Sequence, residues 1–157
     1  DLHSFPTRRS SDLHIGSPLA EAVLRRMAVE RGLTDLQASS AGTGSLDGAP
    51  ASSGTYLVGI ERGADTSAHR ARRLTPRMIA DADLIFAMSQ GHLAEIERRG
   101  GAGKAWLLGE FAGYSGRDAE VEDPFGGEMA DYRSMAEQVE TMIGRVLDRI
   151  VAKGTAG

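Results

Sequence analysis

At 157 residues the chain has the length of one domain with a sizeable core, and 41% hydrophobic with 25% charged residues is an ordinary globular composition. A net charge of −4 gives no reason to expect nucleic acid as a partner, and no apolar run approaches the ~18–20 residues of a membrane span. The chain has no cysteine, which excludes disulfides, thiolate metal sites and a cysteine nucleophile; the four histidines (His3, His14, His69, His92) are not spaced like metal ligands.

No signal peptide is visible, so a cytoplasmic address is the default. The arginine pairs at 25–26, 72–73 and 98–99 read as solvated helix faces among acidic neighbours.

Residues 1–13, DLHSFPTRRSSDL, differ from the rest. A buried first strand calls for β-branched and apolar residues. This segment offers only Leu2, Phe5 and Leu13 around a proline and two arginines. His3 to Leu13 also resembles the in-frame translation of a common sequencing-library adapter; the other reading is a disordered polar arm. The predicted organisation is a non-native or disordered segment over 1–13, one domain over 14–152 and a frayed tail over 153–157.

Order begins at Ser17, which suits an N-cap, with Pro18 as the first helical residue. Glu21 falls in the first turn, where the helix dipole favours a carboxylate. Leu19, Val23 and Met27 recur at helical spacing, and Gly32 stops the helix. Leu36 to Ser40 reads as a short strand, and residues 44–54 as loop. A helix over Ser52 to Arg62 is weakened by Gly54 and Gly59, each about 1 kcal/mol less favourable than alanine. The basic stretch Thr66 to Leu74 leads into a short helix that starts at Thr75-Pro76.

Ala82 to Met88 is the clearest buried strand. Ser89 caps the next helix, Gly100-Gly101 closes it, and Lys104 to Leu108 forms another strand. Residues 109–122 read as loop and Asp123 to Gly127 as a tight turn. From Met129 to Ile150 apolar residues repeat at three and four, giving one long amphipathic helix. Strands alternating with helices predict an α/β fold: a three-layer, doubly wound sheet of four parallel strands flanked by helices. Its first strand is corrupted or missing where residues 1–13 stand.

A loop that feeds a helix N-terminus is an anion site, because the first free N–H groups and the dipole both favour phosphate. Gly16-Ser17-Pro18 opens such a helix. Asp123 before Pro124 is a carboxylic acid on a distant loop, although an aspartate there also suits a turn. A cradle and an acid together suggest phosphoryl transfer with acid assistance to the leaving group.

Five collinear pieces resemble the low-molecular-weight protein tyrosine phosphatases. They are Ser17-Pro18-Leu19-Ala20-Glu21-Ala22, Ser40-Ala41-Gly42-Thr43, His69-Arg70-Ala71-Arg72 with Leu74-Thr75, Ala82 to Met88, and Asp123-Pro124-Phe125-Gly126-Gly127. The last piece and the pattern Met88-Ser89-x-x-His92 resemble the bacterial branch that includes protein arginine phosphatases.

The resemblance implies a mechanism without metal or cofactor, acting on phosphorylated proteins. A cysteine, five residues and Arg-Ser form a loop around the phosphate. The thiolate attacks phosphorus, the arginine clamps its oxygens, the serine supports the thiolate, and an aspartic acid serves the leaving group and then water. Carried over by position, Asp123 is the general acid/base, and His14, Ile15 and Ser17 bind phosphate. Ser10 stands in the place of the cysteine and Gly16 in that of the arginine. An unactivated serine is a far weaker nucleophile than a thiolate, and glycine brings no guanidinium. The chain as written is therefore expected to be inactive. The alternative is a pseudophosphatase that holds phosphorylated partners without turnover. An arsenate reductase on the same fold is disfavoured, since that chemistry relays through several cysteines.

Overall fold

The computed structural model describes residues 11–42 and 48–156. Strand β1 (Ser11–Ile15) opens it, with Ser11, Leu13 and Ile15 buried and Asp12 and His14 half-buried. From the sequence no intact strand is expected within 1–13, whereas Ser11 to Leu13 are the first three residues of β1. Side chains alternate across a strand, so only every second position must be apolar where one face meets the core. Leu13 and Ile15 meet that need. Ser10 and the residues before it lie outside the described residues.

The sheet runs β2 (Leu36–Ser40), β1, β3 (Leu84–Ala87), β4 (Ala105–Leu107), with every neighbouring pair parallel. The four parallel strands flanked by helices match the predicted architecture. Ser11 pairs with Leu36 and Ile15 with Ser40 on one side of β1; Leu13 pairs with Leu84 and Ile15 with Phe86 on the other.

Among the described residues six α-helices connect and cover the strands: α1 (Pro18–Glu30), α2 (Ser53–Glu61), α3 (Pro76–Asp81), α4 (Gln90–Ile96), α5 (Leu108–Phe111) and α6 (Met129–Ala156). The larger core packs Leu13, Ile15 and Phe86 against Leu19 and Val23 of α1 and Val139, Ile143 and Leu147 of α6. A smaller core packs Ile85 and Ala87 against Ile79 and Ile96. Strand β3 thus buries both faces, which is why LIFA reads as a continuous apolar run.

Four serine or threonine caps start helices as their positions suggest. Ser17, Ser52, Thr75 and Ser89 each accept from the N–H three residues on. At its other end α3 is closed by Lys104, whose Nζ donates to the carbonyls of Ile79, Ala80 and Ala82 at 2.9, 3.1 and 2.9 Å.

The glycines that weaken α2 by propensity are there for space. A Cβ on Gly54 would lie 2.4 Å from the Tyr132 ring, and one on Gly59 would lie 2.3 Å from the Ala64 carbonyl oxygen. Residues 109–122 are more ordered than a loop: α5 and a 3-10 turn (Gly116–Ala119) bury Phe111 and Ala119. Elements of four residues are too short to show a period. The expected tail at 153–157 is also corrected, because α6 continues through Ala156. No described helix is long and apolar enough to cross a membrane.

Arg25 and Arg26 are not simply solvated. Arg25 donates to the Ala38 carbonyl of β2 through Nε (3.1 Å) and Nη2 (2.6 Å). Arg26 donates to Glu140 of α6 at 2.8 Å and to the Arg62 carbonyl, and Arg62 also pairs with Glu140. One carboxylate therefore joins α1, the end of α2, and α6. Burial alone would push the Glu140 carboxyl up, but hydrogen bonds from Arg26 and Arg62 outweigh it and hold it below the usual carboxylate value.

A depressed carboxylate pKa contributes stability above the unfolded-state value, and that stability is lost as pH falls through the folded value. Glu140→Gln is expected to lower unfolding free energy by about 1–2 kcal/mol at pH 7, from two weakened charged hydrogen bonds. The deficit should shrink below about pH 4.5, as the wild-type carboxyl protonates. Urea melts of both proteins at pH 7 and pH 3.5 read this; equal stability at pH 7 would remove the triad as a fastening.

Candidate active site

The junction of β1 and α1 lies at the carboxyl end of a central strand, where parallel sheets place their ligands. Here it is very short. β1 ends at Ile15, Ser17 caps α1, and Gly16 alone stands between them. Ser17 is extended (φ −148°, ψ 129°), and its Oγ accepts from the Ala20 N–H at 3.2 Å. The Gly16 N–H donates to the Phe86 carbonyl at 3.0 Å and so belongs to the sheet.

His14 and Ile15, expected in a phosphate loop, both stand in β1 here. Ile15 is 1% exposed in the larger core, and His14 faces Ser39 of β2, with Nδ1 and Oγ 3.2 Å apart. Counting residues back from Ser17 places a loop here; the pairing of β1 with β2 and β3 takes the same residues into the sheet. Burial, then the charge of Arg72, holds the His14 ring below its usual pKa, against the carboxylates of Asp12, Asp81 and Glu21. Position 16 is open: a Cβ there would sit 3.7 Å from Met88 Cγ and 3.7 Å from the Phe86 oxygen, ordinary contacts.

Asp123 is exposed, and its Oδ1 accepts from the Phe125 N–H at 3.0 Å, an Asx-type turn. Gly126, at φ 80°, and the Gly127 N–H bonded to the Pro124 carbonyl at 2.6 Å finish that turn. The chain reaches it from the sheet. The Val121 N–H donates to the Met88 carbonyl at 2.9 Å, and Gln138 Nε2 donates to the Glu120 carbonyl at 2.8 Å. The loop is thereby fixed to the end of β3, next to the Met88 side chain that borders Gly16. The cleft that Asp123 lines is built from the loop itself and from α6, with Asp131, Met135 and Gln138; Gly16 and Ser17 do not line it.

A polar cluster on the far side of α1 was not legible as a unit. Glu21 is more than a dipole partner. Its Oε1 accepts from Ser40 Oγ at 2.6 Å and its Oε2 pairs with Arg25 at 2.9 Å. Ser40 Oγ also lies 3.4 Å from His69 Nδ1. Burial lowers the His69 pKa first; Glu21 opposes this, and Arg70 and Arg72 add to it. The only sequence signal was Ser40 and His69 falling in two separate resembling pieces. Among the described residues the junction offers a capped helix end and an amide bonded into the sheet, with neither a thiolate nor a guanidinium clamp for phosphate.

Comparison with known proteins places this geometry. The family model for low molecular weight phosphotyrosine protein phosphatase matches residues 14–156. The protein-arginine-phosphatase of Geobacillus stearothermophilus is 32% identical over 136 residues, 85% of this chain and 87% of that protein. The low molecular weight protein-tyrosine-phosphatase of Streptomyces coelicolor is 34% identical over 131 residues, 79% of each. Among solved structures, the low molecular weight protein tyrosine phosphatase from T. tengcongensis superposes with a TM-score of 0.81 at 31% identity, over 89% of this chain and 99% of that one.

Ser17→Ala removes the α1 cap and is expected to destabilise the protein by about 1 kcal/mol, while Ser17→Gly costs only a few tenths. Urea denaturation of the three proteins reads the difference; an alanine variant as stable as the parent would mean that the hydroxyl does not hold the helix end.

Proposed function

The chain belongs to the low molecular weight phosphotyrosine protein phosphatase family, and from that membership we propose the following reading. The activity of this domain is hydrolysis of phosphorylated tyrosine or arginine side chains of proteins in the cytoplasm, through a cysteinyl-phosphate intermediate. That activity needs a phosphate loop between β1 and α1. The chain as it stands does not turn over. One observation carries this: a single residue, Gly16, separates β1 from the Ser17 cap, in a chain of 157 residues without cysteine.

With a loop restored, a thiolate attacks phosphorus and the substrate side chain leaves with a proton from Asp123. Asp123 then takes a proton from water as it attacks the phosphocysteine, releasing phosphate. Ser17, at the helix end, steadies the thiolate, and an arginine at position 16 spreads a bidentate fork over the equatorial oxygens. A second reading, a pseudophosphatase that binds phosphorylated partners without turnover, is favoured by the intact N-terminus of α1, whose dipole attracts anions. We further propose that residues 1–13 are adapter translation and that Ser11–Leu13 occupy the place of a native strand.

Two measurements test this. Insertion of a Cys-x5-Arg loop in place of Gly16 is expected to raise para-nitrophenyl phosphate hydrolysis on the order of 10³-fold or more over the parent. Asp123→Asn in that background should lower it by about 10²-fold or more. Turnover by the parent chain, or none after loop insertion, would overturn the reading. Sequencing of the source DNA across codons 1–20 is expected to return an apolar strand followed by Cys, five residues, Arg and Ser; recovery of DLHSFPTRRSSDLHIG would instead favour the pseudophosphatase.

A further inference from the structure

A second cleft lies between the first turns of α1 and the segment 65–72. Its volume is about 360 Å³, within the range of about 300–1,000 Å³ typical of small-ligand sites. Glu21, Arg25, Ser40, Thr66, Arg70 and Arg72 line it. Two of its charges are already matched, because Glu21 holds Arg25 and accepts from Ser40. Asp65, also on the wall, accepts from the Ser67 N–H at 2.8 Å.

Arg70 and Arg72 are different. Among the described residues neither forms an ion pair. Arg70 Nη1 donates to the carbonyls of Ser67 (3.3 Å) and His69 (2.6 Å), and Arg72 Nη2 donates to the Ser40 carbonyl at 3.4 Å. A guanidinium carries five N–H donors, so both keep donors for a further acceptor. Thr66 supplies a second and independent sign. It is 4% exposed, and its Oγ1 has no hydrogen-bond partner. A buried hydroxyl is ordinarily paired, and this one, on a residue that lines the same cleft as the two arginines, has no acceptor or donor of its own.

We propose that this cleft binds a phosphate-class oxyanion, with Arg70 and Arg72 as guanidinium donors and the Thr66 hydroxyl as the buried donor. A carboxylate would be filled by one arginine fork. Three separate donors suit a tetrahedral anion whose oxygens accept on several sides. Pro18, next to the Ser17 cap, is on the cleft wall, while Gly16 and Ser17 are not. His69, against Ser40 on the same wall, is a natural reporter of occupancy.

The test is titration of the full chain with inorganic phosphate at constant ionic strength, followed by amide and histidine NMR signals. Saturable shifts are expected at Asp65 to Arg72 and at His69. Arg70→Gln should weaken binding about tenfold and Thr66→Val about threefold. Thr66→Val removes a hydroxyl that has no partner, so without phosphate it should melt no lower than the parent. Its phosphate affinity can then be compared on a folded protein. Unsaturable shifts, shifts confined to Ser17 to Ala20, or parent-like affinity in both variants would overturn the proposal. Shifts confined to Ser17 to Ala20 would at the same time favour the junction as the anion site. A phosphotyrosine peptide and its unphosphorylated form distinguish the source. Saturation of the same residues by the phosphopeptide identifies protein-borne phosphate, and saturation by inorganic phosphate alone identifies the free anion.

Discussion

The fold depends on β1 being held between β2 and β3. Five residues pair with β2 and three with β3, and Leu13 and Ile15 carry the sheet into the packing of α1 and α6. The Gly16 amide extends this hold by one more bond, to the Phe86 carbonyl. Because hydrogen bonding takes every residue up to the cap, strand and helix meet as a joint. A cradle for phosphate needs backbone amides that stay out of the sheet, and here the sheet claims them first.

That competition explains what the sequence could and could not reveal. Caps at Ser17, Thr75 and Ser89 were legible because a side-chain oxygen three residues before an open N–H is a local event. The LIFA strand and the three-and-four repeat of α6 were legible because burial imposes a period. β1 was not, because SDLHI shows only two apolar residues and its partners are distant in the chain. Gly54 and Gly59 counted against a helix by propensity, while the reason for them, Tyr132 and Ala64, lies in other segments. Of the candidate site, Asp123 was found on its turn and Ser17 on its helix end. Counting along the chain puts His14 and Ile15 in a loop and the structure has them in β1, a difference that counting cannot see, since a loop and a strand can be of equal length.

The arginines of α1 and Arg31 just after it show the same limit from another side. Charge pattern alone makes Arg25 and Arg26 a wet surface. In three dimensions Arg25 reaches the edge strand β2, Arg26 reaches α6 and the end of α2, and Arg31 reaches Asp148 and the Gly144 carbonyl. Guanidinium groups suit this work, since their donors fan out while the stem lies along apolar surface.

The placement of α6 sets the order in which the protein can be completed. Its Val139, Ile143, Val146 and Leu147 are fully buried in the core that also holds Leu13, Leu19 and Val23 from the start of the chain. While this helix is still inside a ribosome, the sheet already made has one oily side open to the cell. Parallel strands joined over long loops close slowly, and exposed apolar surface is what chaperones hold and what aggregates. The domain is therefore sealed only when α6, the last of its described elements, has left the ribosome and packs.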